Sequence, residues 1–369
     1  MRVALVHDWL TGMRGGERLL HELALFFPEA PLYTLIHVPG TTSPAIDRLQ
    51  VHASPLSRLP GAARHYRKLL PLFPWAIERF ELEACDLVIS TSHAVAKGIR
   101  TPPGVPHLCY CMTPMRYVWD QIDAYLGRGA QRTLAAPLVA YLRAWDRRTS
   151  TLARVTWFTA ISHTVAERIR RHYGREASVV HPPVDVDRIA LASSAPEDFY
   201  LMVGGFVPYK REELAIEAFR KLDRTLVVVG DGPTRARLQA SAPDRVRFLG
   251  RVSDAELVSL YQRARALVYP QEEDFGIIAL EAQAAGRPVI AYGHGGATET
   301  VVPLHASEAS LPTGVWFDRA EPDALCDAVL AFERSSGAFD PRAIRAHAQR
   351  FGLARFRSEL RSEIKRLVG

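Results

Sequence analysis

A chain of 369 residues exceeds what one hydrophobic core usually supports, so two domains are expected, and a hydrophobic content of 48% excludes wholesale disorder. The net charge of +6 is uneven: residues 1–185 hold 22 Lys and Arg against 15 Asp and Glu, the remainder 24 against 25, so the basic surplus of the first half suits an anionic partner. Nucleic acid is set aside for want of zinc spacing, a basic-zipper heptad or an aromatic RNA-binding signature, and with no apolar run of ~18 residues the chain is expected to be cytoplasmic.

The first strand is expected at Val3–Val6, followed by His7-Asp8-Trp9-Leu10-Thr11-Gly12-Met13-Arg14-Gly15-Gly16-Glu17, where Gly15 and Gly16 let backbone approach a ligand at the start of a helix. From Leu56 to Phe80, Arg58, Arg64, Arg67, Lys68 and Arg79 interleave with Leu59, Leu69, Leu70, Leu72, Phe73, Trp75, Ile77 and Phe80. Strands follow at Leu87–Ser90, just before His93, and at His107–Cys111, just before Met112, Thr113 and Arg116. Cys109 and Cys111 alternate along the latter, and with Cys85 and Cys326 they show no metal-ligand spacing, so reduced thiols are expected. A second basic stretch, Arg128 to Arg154, carries Arg132, Arg143, Arg147 and Arg148 ahead of a strand at Trp157–Ala160.

Pro182-Pro183 forbids a continuing helix and marks a linker, so domains are placed at 1–184 and 185–345, with a C-terminal helix at 346–369. Asp185-Val186-Asp187 lies in this linker, where a metal site is not expected. Strands are then expected at Tyr200–Val203, Thr225–Val229, Arg247–Leu249, Ala266–Tyr269 and Pro288–Ala291. Gly205, Lys210 and Arg211 follow the first of these; Gly230, Asp231 and Gly232 follow the second, as a turn or as a base or ribose contact. After Tyr269, a loop and helix carry Glu273 and Glu281; on one continuous helix, eight steps of about 100° bring them within roughly 80° of each other. Between them, Phe275, Gly276 and Ile277 expose N–H groups at the positive end of a helix dipole, a site for phosphate, while the carboxylates suit sugar hydroxyls. Gly295-Gly296-Ala297-Thr298-Glu299 follows the next strand. Pro341–Val368 reads as an amphipathic helix interrupted at Gly352. Strands alternating with helices in both halves predict an α/β fold of two parallel sheets.

With Glu273 and Glu281 so placed, and Val229-Gly230-Asp231-Gly232-Pro233 and Pro208-Tyr209-Lys210-Arg211 upstream, the chain resembles retaining glycosyltransferases of family 4 over nearly its whole length. Ile89-Ser90-Thr91-Ser92-His93-Ala94, the His7–Glu17 segment and Cys109–Asp120 resemble the branch acting in bacterial surface-polysaccharide assembly, many of whose members are mannosyltransferases. The resemblance implies the GT-B architecture: two Rossmann-like doubly wound domains facing a central cleft, with a C-terminal helix crossing back to the first. It implies that Glu281 holds the nucleotide ribose and Glu273 the donor sugar. Phe275, Gly276 and Ile277 would bond the diphosphate or sugar, with Lys210 and Arg211 neutralising the diphosphate. Gly15, Gly16, Gly205, Gly230, Asp231 and Gly232 fall in the donor-binding set, and Met112, Thr113, Arg116 and His93 lie near the acceptor and sugar. Two departures stand out: Gly205 replaces a frequent arginine, which moves the diphosphate task onto Lys210, Arg211 and the helix dipole, and Met112 replaces a frequent histidine, which removes a polar contact near the reacting sugar.

The expected function is hexosyl transfer, with mannose from GDP-mannose favoured, to a lipid-linked or glycan acceptor. The nucleotide-sugar is a co-substrate, and neither metal nor cofactor is expected. The basic first domain, with Leu, Phe and Trp beside its cations, suits an anionic membrane, so a peripheral location on the inner face of the plasma membrane is expected. An epimerase of the same fold and a non-catalytic, membrane-associated assembly partner remain as alternatives.

Overall fold

The computed structural model describes residues 1–122, 129–304 and 311–368. Arg128, the start of the second basic stretch, lies outside the described residues. Two compact units are present: Met1–Pro182 together with the chain from Arg357 onward, and Pro183–Phe356.

The first unit holds β1 (Val3–His7), β2 (Leu32–Thr34), β3 (Val51–Ala53), β4 (Leu87–Ser92), β5 (His107–Cys111), β6 (Trp157–Ala160) and β7 (Ser178–Val179), ordered β3-β2-β1-β4-β5-β6-β7. The second holds β8 (Tyr200–Val203), β9 (Leu226–Val229), β10 (Val246–Gly250), β11 (Leu267–Tyr269), β12 (Val289–Tyr292) and β13 (Gly314–Phe317), ordered β10-β9-β8-β11-β12-β13. Neighbouring strands pair in parallel, as β1 with β4 and β8 with β9. Parallel strands are covered on both faces, and β1, β4, β5 and β9 are accordingly buried at every position, β9 as an unbroken apolar run.

The helices that position the candidate sites are α1 (Gly15–Phe26), α2 (Phe73–Ile77), α3 (Ala130–Arg148), α4 (His163–Tyr173), α5 (Glu212–Lys221), α6 (Asp254–Arg263), α7 (Ile277–Ala284), α8 (Pro322–Arg334), α9 (Pro341–Gln349) and α10 (Leu353–Val368). Trp9, Phe73, Ile77 and Trp145 share one core; Tyr200, Phe206, Phe219 and Phe332 share the other.

All nine expected strands occur, with ends shifted by at most two residues. Four others, β2, β3, β7 and β13, were not anticipated. The C-terminal segment is interrupted at Gly352 as expected: α9 ends at Gln349, and α10 begins at Leu353. The change of unit falls inside α10, between Phe356 and Arg357. Arg345 of α9 donates to the carbonyls of Ile189 and Ala284 in the second unit. On α10, Arg357 bonds Glu22 at 2.9 Å and Glu363 accepts from Trp157 at 2.9 Å, both in the first unit.

Candidate functional site

In each sheet the strand order reverses once, between β1 and β4 and between β8 and β11. Diverging connections leave a crevice at the carboxyl ends of such strands, where open α/β sheets bind ligands. Residues singled out from sequence follow the strands at these two places, as His93 does β4, Lys210 β8 and Glu273 β11, or the neighbouring strands, as Met112 does β5 and Gly230 β9.

In the second unit, β8 runs into Gly204 and Gly205, then a 3₁₀ turn at Pro208–Lys210, then Arg211 at φ 56° and ψ 35° capping α5. Among the described residues Arg211 is the one non-glycine with positive φ. Its guanidinium lies 4.4 Å from the Tyr292 ring and 3.4 Å from the Pro270 carbonyl, which anchors the strained turn to β12 and to the loop after β11. That turn carries Lys210 into an ion pair with Glu273, both side chains largely buried. Cation and carboxylate thus stand together beside the N-terminus of α7.

Glu273 precedes α7, so the helical-wheel relation to Glu281 does not hold; Glu273 sits in an extended bridge to Gly295. The Gly296 N–H bonds the Glu273 carbonyl at 2.7 Å, and a Cβ on Gly296 would collide with Phe275 backbone. Gly276 caps α7 at φ 108°; the Ala279 and Leu280 N–H groups bond its carbonyl, at 3.0 and 3.4 Å, while those of Ile277 and Ile278 have no intrahelical acceptor. Glu281, in the second turn of α7, is buried and accepts from Tyr261 at 2.9 Å and Arg188 at 3.2 Å. The two glutamates therefore have separate partners.

Gly230 and Gly232 have a packing reason. A Cβ on Gly230, at φ 132°, would collide with the Gly204 carbonyl, and one on Gly232 would come within 2.6 Å of the Phe206 carbonyl. Asp231 accepts the Gly232 N–H at 2.8 Å. Gly205 differs: an added Cβ would meet only the Asp231 carbonyl, at 3.8 Å, so the position has room for a side chain.

In the first unit, Gly15 and Gly16 open α1. A Cβ on Gly16 would lie 3.0 Å from the Met112 sulfur and 3.5 Å from His7 Cε1. The His93 ring meets Asp8 at 3.0 Å and stands nearly perpendicular to the Trp9 ring, the ring centres 4.5 Å apart. Enclosure of its ring outweighs the Asp8 charge and holds the His93 pKa below its ordinary value, with Arg116 adding to the effect. Asp8 is buried and accepts N–H bonds from His93, Ala94, Val95 and Ala96 at 2.7–2.9 Å, which fixes the loop after β4. Thr113 is buried and its hydroxyl has no protein partner. Gly16, Met112 and His93, with Thr113 just beyond, are gathered at the carboxyl edge of β1, β4 and β5.

Sequence reasoning missed several polar groups at the same edges. His7 is buried, its Nδ1 2.6 Å from the Thr91 hydroxyl and its Nε2 3.9 Å from Glu17. Burial pushes the Glu17 carboxyl up, but the hydrogen bond and charge of His7 outweigh it, so Glu17 stays below the usual carboxylate range. In the second unit, Gln271 and Glu212 are buried with amide or carboxyl atoms lacking a protein partner. His7 ends β1, Glu17 and Glu212 lie in the first turns of α1 and α5, and Gln271 is in a loop; at such element ends a period-3.6 or period-2 pattern is too short to mark them.

Two doubly wound sheets, each with a polar cluster at its switch point, define the GT-B class of α/β proteins. The structure of Anabaena Alr3699/HepE in complex with UDP and glucose superposes with a TM-score of 0.69 over 99% of both chains, at 16% identity. Residues 13–188 match the family model "Glycosyltransferase Family 4" and residues 184–350 match "Glycosyl transferases group 1", so the chain carries the paired domains of these glycosyltransferases. A D-inositol 3-phosphate glycosyltransferase of Mycobacterium avium is 32% identical over 200 residues, 47% of this chain and 45% of that protein. The D-rhamnosyltransferase WbpZ of Pseudomonas aeruginosa is 34% identical over 138 residues, 36% of this chain and 35% of that protein. The chain thus spans less than half the length of these curated relatives.

Proposed function

We propose that this chain is a retaining hexosyltransferase that takes mannose, from GDP-mannose for preference, to a lipid-linked or glycan acceptor in cell-surface polysaccharide assembly. The observation carrying this reading is the Lys210–Glu273 pair beside the α7 N-terminus. When the donor's C1–O bond breaks, negative charge grows on the departing diphosphate. A fixed cation and unpaired N–H groups stabilise that charge more than the ground state. In this reading Lys210 turns to the diphosphate, Arg211 braces the turn, Glu273 takes sugar hydroxyls and Glu281 the ribose. Transfer occurs on one face, the diphosphate helping to deprotonate the acceptor hydroxyl, so no carboxylate nucleophile and no metal is required.

A thermal-shift panel of GDP, UDP, ADP and their sugars tests the donor; UDP is included because HepE was found with it. A ligand at 100 times its Kd adds about 2.7 kcal/mol, or roughly 5–10 °C for domains of this size. No shift with any of them overturns the proposal. NMR of the product's anomeric configuration tests retention.

We further infer a peripheral location on an anionic membrane. No helix among the described residues is long and apolar enough to cross one. Arg58, Arg64, Arg67, Lys68 and Arg79 are all exposed, and Leu59, Leu72 and Trp75 are exposed among them, while Phe73 and Ile77 are core. The second basic stretch contributes less: Arg143 and Arg147 lie over Trp119, and Arg148 bonds Glu78 at 3.0 Å.

A further inference from the structure

Glu212 is the first residue of α5, directly after Lys210 and the left-handed Arg211. It is 2% exposed, and its Oε1 has no hydrogen-bond partner. Oε1 lies 3.8 Å from where a Gly204 side chain would begin, so it faces the backbone at the end of β8. A carboxylate buried with one oxygen unsatisfied is costly, whereas a neutral carboxyl offers a proton for donation. We propose that Glu212 belongs to the donor-phosphate site: in its neutral form it donates a hydrogen bond to a diphosphate oxygen, and in its ionised form it repels the diphosphate, so donor binding is linked to proton uptake. The inference rests on the nucleotide-sugar reading above and adds a binding residue to it.

The charged groups facing Glu212 act in opposite senses. Burial pushes its carboxyl up to about 7, with Glu273 adding to the rise, while its own and the Val207 N–H and the Lys210 ammonium oppose it. On α5 itself, Glu213 is exposed and bonded to Arg237 at 3.1 Å. From α8, which packs on α5, Asp323 pairs with Lys221 at the other end of the helix. With a pKa of about 7, roughly one group in eleven is neutral at pH 8 and nine in ten at pH 6. If only the neutral form binds, affinity falls about tenfold between those values.

Isothermal titration of the full chain with UDP-glucose and GDP-mannose at pH 6 and pH 8 tests this, because the diphosphate of a nucleotide-sugar does not itself titrate in that range. The expected result is that drop in affinity, with close to one proton taken up per ligand at pH 8 when two buffers of different ionisation enthalpy are compared. Glu212→Gln keeps a donor without a charge, so it should bind equally at both values and about tenfold tighter than the parent at pH 8. A flat profile in the parent chain, or a pH response that persists in a folded Glu212→Gln protein, overturns the assignment while leaving the transferase reading standing. No binding of either sugar at any pH removes both.

Discussion

The sharpest perturbation available is the removal of the Lys210 charge. Lys210→Met preserves the stem and leaves Glu273 without its partner; the two side chains are 15% and 18% exposed. That lies between an exposed pair, worth at most ~1 kcal/mol, and a fully buried one, whose disruption costs about 3–5 kcal/mol. An intermediate cost of about 1.5–2 kcal/mol predicts a Tm roughly 3–8 °C lower, at 2–4 °C per kcal/mol. Glu273→Gln alone should cost a similar amount, and the double variant should recover most of it, because neither charge is then stranded. Donor binding should behave differently. If the ammonium meets the diphosphate, Lys210→Met weakens nucleotide-sugar binding and cuts turnover by about 10²–10³, the range for losing one preorganised electrostatic contact, and the double variant does not restore it. Differential scanning fluorimetry and initial-rate kinetics on the three variants separate the two effects. A double variant with parental Tm and parental donor affinity would reduce the pair to a structural contact and refute the reasoning.

Two glycines one strand apart should respond in opposite ways. Gly230→Ala drives a methyl into the Gly204 carbonyl at a φ of 132° and should lower Tm by about 5 °C or more, whereas Gly205→Arg should leave Tm nearly unchanged and tighten nucleoside diphosphate binding several-fold by titration calorimetry. Glu333 accepts from Arg224 and from the Tyr200 hydroxyl, and these bonds hold its carboxyl below the ordinary value of 4.5. Because the folded-state pKa is the lower one, this stabilisation is fully present above about pH 4.5 and is lost as pH falls. Urea unfolding of Glu333→Gln should therefore show a smaller loss between pH 5 and pH 3 than the parent; an equal loss would disprove the link. Leu72→Ser with Trp75→Ala should reduce sedimentation with anionic liposomes while leaving neutral liposomes unaffected, and a parent chain indifferent to anionic lipid would remove the membrane reading.

The parts of the fold legible in sequence were those whose physics is local. Strands such as Val3–His7 and Leu226–Val229 are buried on both faces, so their apolar runs stand out against any background. By contrast, β2, β3 and β7 are two or three residues long, and β13 sits at a sheet edge; what defines them is a partner strand distant in sequence. The same division runs through the candidate sites. Lys210, Glu273 and the α7 N-terminus could be named because motif spacing carries them. The carboxylate cradled by four N–H groups at Asp8, the buried Glu212 and the collision that forbids a side chain at Gly230 are consequences of which loops meet, and no window along the chain contains that information. The wheel relation of Glu273 to Glu281 failed for a related reason, since it assumed a helix where the backbone is bridged to Gly295.

The chain passes between its two units at Pro182–Pro183 and again at Phe356–Arg357. A protease cut at the first crossing would therefore not release two independent halves. The downstream fragment would still carry the end of α10, whose Arg357 and Glu363 are bonded to Glu22 and Trp157 of the upstream one, so the nicked protein should migrate as one species until denatured. For the same reason, an exchange of second units between relatives needs two junctions, and one made at the linker alone would carry a foreign helix into the other unit.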